Sequence, residues 1–269
     1  MYRYCFRAIL AAVLCFGLCA SEAIAAERSV DCGKGQSLQH ALDTAPKASG
    51  DIFYVQFEGI CEEVVTIRRD NTRIDGGGTG TISGTVRVFS AEGVWLERLT
   101  VTGPGTGVVV SGAAAILSGA NVTGNVLDGI LIRRNSNVWA RAGTYVGQNG
   151  NSGVFVDGSA LQAQNTTFEG NSVDGILAVN GSSVSLANSR VLDNQGAGVA
   201  LTLHSVLDIR SGSQFADNVL HGVLARLDSG VWISQPNVDF AGSIDCLDFE
   251  SSFHTDYDWP SGPVNCSPF

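Results

Sequence analysis

The sequence predicts an all-β fold, a single-domain parallel β-helix of about eight three-strand coils, and three observations carry that prediction. First, a block that opens with Asn and places Gly four residues later recurs with Asn at 125, 149, 171, 194 and 218, a period of 24, 22, 23 and 24 residues. Second, each block resolves into three short alternating runs broken by Gly, Asn or Ser, as in "GILAV" (175–179), "SVSLA" (183–187) and "SRVLD" (189–193). Third, the blocks have no helical periodicity and lack the leucine-rich consensus, so other solenoid types do not fit. Three short strands and three turns need roughly 22 to 25 residues, one coil of a stack whose strands lie about 4.8 Å apart. The repeated region, 64–242, then makes a rod roughly 38 Å long.

Residues 1–25 read as a secretory signal peptide. Arg3 and Arg7 precede the apolar run "AILAAVLCFGLCA" (8–20), and "AIA" (23–25) places small residues for cleavage after Ala25. The run is too short to span a bilayer, and no other apolar run is long enough, so no transmembrane segment is expected. "AVLC" and "FGLC" lack the small residues of a lipoprotein site. The chain is therefore expected in the periplasm or outside the cell.

Residues 26–63 read as an N-terminal cap, which a solenoid with open end coils requires. Ser37 is placed to cap a short helix with Leu38, Ala41, Leu42 and Ala45 on one face, stopped by Pro46. The repeats follow over 64–242, with "GTVRVFSA" (84–91) and "GPGTGVVVSGAA" (103–114) as copies that lack the Asn. Three residues before each Asn stand Val122, Val146, Phe168, Val191 and Phe215, a column suited to the interior. Six before stand Gly119, Gly143, Asn165, Asn188 and Gly212, residues that tolerate the left-handed backbone of a sharp corner. The Asn residues themselves are expected to stack as a corner ladder, architectural in role, with a sugar-binding ladder as the alternative. Residues 243–269 form a C-terminal cap.

With Cys5, Cys15 and Cys19 in the leader, four cysteines remain, and four allow three connectivities. The long cysteine-free middle favours Cys32–Cys61 and Cys246–Cys266, closing both ends. CxxC spacing is absent, so zinc is not expected. A net charge of −10 with no basic cluster argues against nucleic acid.

The Asn-x3-Gly coils and the Gly/Asn corner row over 64–242, with "VDCGKGQSLQHAL" (30–42) and "EGICEEVVTI" (58–67), give the chain a family likeness. It resembles the right-handed parallel β-helix (pectin lyase-like) group of pectate lyases, polygalacturonases and other carbohydrate-active proteins, in their secreted bacterial form. The resemblance implies right-handed coils and, where there is activity, a site on the outer face of one sheet.

Period-2 alternation after each Gly identifies that face. Val109, Leu131, Phe155, Leu177, Ala200 and Leu224 point outward between core residues, an apolar stripe that would serve binding or self-association. The next outward row contains Arg133 and Asp157, expected as an inter-coil ion pair or, alternatively, a substrate clamp. Before each Gly sit Asp128, Ser152, Asp174, Ala197 and His221. Asp128 and Asp174, two coils apart, would place carboxyls about 9 to 10 Å apart, near the spacing of an inverting glycosidase. Capping of backbone N–H groups is the plainer role for both. His221 and His204 read as solvated turn residues. The resembled group's catalytic signatures are missing: no Asp-Asp pair, Gly-His-Gly, Asp-Pro-His-Asp or Arg-x-Pro-x-x-Arg occurs, and Lys34 and Lys47 are the only lysines. No cofactor is expected; Asp245, Asp248, Glu250, Asp256 and Asp258 could hold Ca²⁺, but their spacing does not match an EF-hand.

The residues thus favour a non-catalytic binding or surface-interaction module for a polysaccharide or protein partner. The alternatives are a lyase, hydrolase or epimerase acting on polysaccharide with a divergent site, and a purely structural envelope component. A groove open to solvent and lined by Asp128, Asp174, Arg133 and Asp157 would favour the enzyme.

Overall fold

The computed structural model describes residues 24–46, 51–234, 238–240, 244–246, 252–255 and 264–265. Alternating sequence becomes strand wherever one face can be buried, and here every coil contributes one strand to each of three parallel sheets. Sheet A runs from Ile24–Asp31 through Ile52–Glu58, Thr72–Asp75, Val94–Glu97, Ala114–Ser118, Asn137–Arg141, Ala160–Gln164, Ser183–Ala187 and Val206–Ile209 to Gly230–Ile233 and Ser252–Thr255. Sheet B holds the short strands such as Asn121–Thr123 and Thr167–Glu169, and sheet C holds those that follow the repeated Gly, such as Ile130–Arg133, Val154–Asp157 and Ile176–Val179. Coils join in the order A, B, C, and all pairings are parallel, with one register shift between Ile24 and Ala26 in the first sheet A pair, about nine turns in all.

The rod is longer than the repeat pattern suggested. Strands Ile24–Asp31, Ile52–Glu58 and Ile60–Cys61 already belong to sheets A and B, so the segment 26–63 extends the solenoid as well as closing it. The first two residues of Ile24–Asp31 lie ahead of the expected cleavage point, while 1–23 lie outside the described residues. Helix α1 (Leu38–Asp43) forms as expected, with the Ser37 hydroxyl accepting from His40 N–H. Its Leu38 and Ala41 are buried, and Leu42 and Ala45 pack against the core. The Glu63 carboxylate accepts from Leu38 N–H at 2.7 Å and Gln39 N–H at 3.2 Å, satisfying donors that a helix start leaves unpaired. Cys32 and Cys61 form the expected disulfide. The Cys246–Cys266 pairing and the acidic tail's side chains lie outside the described residues.

Val122, Val146, Phe168, Val191 and Phe215 are fully buried, each stacked on its neighbour along the axis. The corner between sheets A and B has positive φ at Gly119, Gly143, Asn165, Asn188 and Gly212, the row the sequence marked. The five Asn residues form the corner ladder between sheets B and C. Each Nδ2 donates to the Oδ1 of the next, at 2.9, 3.0, 2.9 and 2.8 Å from Asn125 to Asn218. Asn125 is buried and Asn149, Asn171 and Asn194 are wholly hidden, so their amides are closed to a sugar, while Asn218 is partly exposed and its Nδ2 donates to Val191 O. The Gly that follows is needed for close approach, since a Cβ on Gly175 would lie 2.6 Å from the Gly198 carbonyl oxygen and 2.8 Å from Asn194 Nδ2.

A second ladder, unforeseen in the sequence, lines the turn from sheet C to sheet A. Backbone N–H groups of Ala113, Ser136, Ser159, Ser182 and Ser205 each donate to the hydroxyl of the next coil's serine, ending at Ser229. Just ahead of these serines the chain takes left-handed conformations, at Arg134 and Asn135, Gly158, Asn180 and Gly181, Leu203 and His204, and Leu227 and Asp228. Buried backbone polar groups at the corners are thus paired by side chains, as an interior without water demands.

Candidate functional site

Sheet C presents the outward stripe as read from the alternation, with neighbours in register from Val109 to Leu224. It is not an open apolar surface. Val109, Ala200 and Leu224 are buried, and Leu131, Phe155 and Leu177 are partly covered. Side chains one coil apart stack on one another and hide each other: Ala197, Ala200 and Leu224 form a separate apolar cluster against which Leu177 packs.

The polar rows on this face also differ from expectation. Arg133 and Asp157 are neighbours in register, yet no ion pair joins them among the described residues. Asp157 instead accepts from Asn180 Nδ2 at 2.7 Å, because the amide of the next coil's turn reaches the carboxylate, while Arg133 Nε is buried without a partner. Asp128, Ser152, Asp174, Ala197 and His221 do form one axial column, each backbone carbonyl accepting from the preceding coil's Gly N–H. Asp128 accepts from Asn151 Nδ2 at 2.7 Å and Ser152 N–H at 3.2 Å, and Asp174 from Ala197 N–H at 2.8 Å. Both therefore cap turns. Burial pushes both carboxyls above their ordinary pKa, against the pull of those hydrogen bonds and, at Asp174, of the Arg226 charge. His204 pairs with Asp228, Nε2 to Oδ2 3.2 Å.

Sheet A carries the more pronounced chemistry, which the sequence reading missed. One outward row runs Tyr54, Arg73, Trp95, Ile116, Trp139, Gln162, Ser185, Asp208 and Trp232, each in register with the next. Arg73 packs over Tyr54 and Trp95 at 5.7 and 5.5 Å from the ring centres, and Arg141, from the adjoining row, over Trp95 and Trp139 at 4.5 and 4.9 Å. Aromatic rings and guanidinium groups thus alternate over four coil spacings, about 19 Å.

The adjoining row sets the charges. Asp75 and Glu97 are buried side by side in register, a placement tolerated only because each has a cation. Arg73 Nε meets Glu97 Oε2 at 2.5 Å, and Arg98 pairs with Asp75, which also accepts from Tyr54 Oη and Gly77 N–H, both at 2.8 Å. Burial opposes ionisation of Asp75, but the hydrogen bonds from Arg98, Gly77 and Tyr54 outweigh it and hold its pKa below the ordinary value. Burial, followed by the Asp75 contact, raises the Tyr54 hydroxyl. Arg141 differs: among the described residues its guanidinium has no carboxylate or other acceptor, only the two indoles, so its donors face outward unused. The signal for this row is a residue fourteen places after Asn125, Asn171, Asn194 and Asn218, namely Trp139, Ser185, Asp208 and Trp232, with Gln162 thirteen after Asn149.

Among the described residues, one group of three metal-type ligands occurs, Cys32, Cys61 and Glu63, but its two sulfurs are joined as a disulfide and are not thiolates. No helix among the described residues is long and apolar enough to cross a membrane.

No curated protein matches the chain. The crystal structure of pectate lyase Pel9A is similar at TM-score 0.62 and 11% identity, over 92% of this chain and 83% of that one. The enzymatically active domain of bacteriophage CBA120 tailspike protein 2 is similar at TM-score 0.51 and 12% identity, over 80% of this chain and 44% of that one. Likeness at such identities is a likeness of fold alone. The family model described as a right handed beta helix region matches residues 84–238, more than half of the chain and the same coils that carry the Asn and Ser ladders, so the protein belongs to the right-handed β-helix family.

Proposed function

We propose that the protein is an exported, non-catalytic module that binds a glycan chain along the outer face of sheet A. The observation that carries this reading is the stacked row of Tyr54, Trp95 and Trp139 with Arg73 and Arg141 between them. Indole and phenol faces offer flat apolar area to sugar rings, and the rigid ion pairs beneath fix the side chains before a ligand arrives. Gln162 and Ser185 continue the row with neutral donors and acceptors suited to hydroxyl groups. Arg141 would grip acidic sugars, since its unused donors match a carboxylate in a two-pronged hydrogen bond. The disulfide Cys32–Cys61 is consistent with an oxidising compartment.

The test is affinity electrophoresis of the full chain in neutral and acidic glycans. Binding should weaken at least about tenfold in Trp139→Ala, as for a buried aromatic anchor, and Arg141→Gln should lower binding to acidic glycans alone. Phe155→Ser should bind normally; loss of binding in that variant would move the site to sheet C. A second reading, a polysaccharide-cleaving or epimerising enzyme, draws on Asp128 and Asp174, two carboxyls of raised pKa in one column. Shortened, unsaturated or epimerised products in the same incubations, lost in Asp174→Asn, would favour it.

A further inference from the structure

Two residues past the apolar stripe, the outer face of sheet C carries a second row, Phe89, Ser111, Arg133, Asp157 and Val179, each in register with the next. Arg68, which follows strand Val65–Ile67, lies over the Phe89 ring at 5.3 Å and so heads the row. Arg87 stands beside Val109 in the stripe itself, and Arg134 follows Arg133 in the left-handed turn, both exposed. Four arginines thus gather within three coil spacings, about 14 Å. None of them meets a carboxylate among the described residues, although the chain as a whole has a net charge of −10. Asp157 is the nearest acid in the row, and Asn180 Nδ2 draws it toward the following coil, away from Arg133.

Two neighbours in this row have hydrogen-bonding capacity that nothing uses. Ser111 is 4% exposed, and its Oγ and the Arg133 Nε beside it are both buried without a partner among the described residues. A donor that has left water and found no acceptor is costly, and a native chain keeps two of them side by side where an acceptor arrives from outside. A water molecule would meet the hydrogen bonds but leave the clustered positive charge unanswered. We propose that Ser111, Arg133 and Arg87 bind a tetrahedral oxyanion, sulfate or phosphate, free or as an ester on a larger ligand. Arg133 as a whole is only partly covered, so its guanidinium can swing outward to the anion and open the Ser111 hydroxyl beneath it. Donors reaching in from adjacent coils suit oxygens at the corners of a tetrahedron, and guanidinium groups bind such oxygens with charge-assisted hydrogen bonds. The site shares no residue with sheet A, so it stands independently of the glycan reading.

The test is isothermal titration of the full chain with sodium sulfate, sodium phosphate and glucose 6-phosphate, at an ionic strength held constant with chloride. One saturable site is expected, weakened at least about tenfold in Arg133→Gln and in Arg87→Gln, and unchanged in Arg141→Gln on sheet A. Arg87 is exposed, so its variant reports on binding without disturbing the fold. Tighter binding of glucose 6-phosphate than of phosphate would identify an ester as the source, and equal binding the free ion. Ser111→Ala gives an independent readout. Without anion it should melt no lower than the parent, since its hydroxyl has no partner to lose, and the rise in melting temperature that sulfate gives the parent should shrink. No saturable binding of any of the three, or a site lost in Arg141→Gln, would overturn the proposal. Equal weakening in Arg190→Gln on sheet B would also overturn it, by showing a general effect of net charge.

Discussion

The Asn ladder makes the cost of one substitution depend on its rung. Asn171→Ala removes four hydrogen bonds: Asn149 N–H and Nδ2 both donate to Asn171 Oδ1, at 3.2 and 3.0 Å, and Asn171 Nδ2 donates to Asn194 Oδ1 at 2.9 Å and to Val146 O at 3.4 Å. The Asn149 N–H is then buried with no acceptor. Asn125→Ala removes two, from Nδ2 to Asn149 Oδ1 at 2.9 Å and to Val101 O at 3.3 Å. Asn125 Oδ1 accepts from nothing, the preceding rung being Gly103, which has no side-chain amide, so its loss orphans no donor. At about 1 kcal/mol net for each of the other three bonds and about 1 to 3 for the orphaned buried donor, Asn171→Ala should cost roughly 4 to 6 kcal/mol and Asn125→Ala roughly 2. Urea unfolding of both variants, followed by circular dichroism under one set of conditions, measures the difference as a shift in midpoint. Equal shifts would show that the amides act as space-filling only and would refute the hydrogen-bond account.

The remaining predictions follow from single observations. Asp174 has a folded pKa raised above the ordinary 3.8, so the stability tied to its protonated form is present below that value and lost as pH rises through the folded pKa. Asp174→Asn should therefore unfold at a higher temperature than the parent at pH 7 and show no such gain at pH 3. Asp75 has the opposite sign: its folded pKa is depressed, its contribution is complete above the ordinary 3.8, and it is lost only as pH falls through the lower folded value, so Asp75→Asn should lose stability at pH 7. Leu203 holds φ 55° with its side chain exposed, and Leu203→Asn, which tolerates that conformation, should raise stability by up to about 1 kcal/mol in thermal unfolding. Reduction of Cys32–Cys61, whose partners are 29 positions apart in sequence, should lower stability by about 3 kcal/mol and loosen α1 first, as hydrogen exchange at Leu38–Asp43 would report.

Sheet C was legible because its strands follow a repeated Gly at 107, 129, 153, 175, 198 and 222, so one alternation rule assigns inward and outward positions in those six coils. Val122, Phe168 and Phe215 were legible as a core column for the same reason. The aromatic row of sheet A was harder to see, since Tyr54, Arg73 and Trp95 precede the Asn-marked coils and share no motif with Trp139. Exposure was not legible at all. The alternation gives the direction of Leu224 or Ala200, but how far neighbours cover them depends on the size of side chains one coil away. The Arg133–Asp157 pair failed similarly, because Asn180, 23 residues on in sequence, competes for the carboxylate from the next coil.

The left-handed residues at the turn from sheet C to sheet A explain how an uneven repeat builds an even rod. From Asn to the following ladder serine the chain takes 11 residues at Asn125, Asn171, Asn194 and Asn218, and 10 at Asn149. The four longer turns each hold two left-handed residues, and the shorter one holds Gly158 alone. One added residue is thus taken up as one added left-handed step, and the strands on either side keep their partners. The turn works as an expansion joint: insertions there change the outline of the rod without disturbing what is stacked inside it.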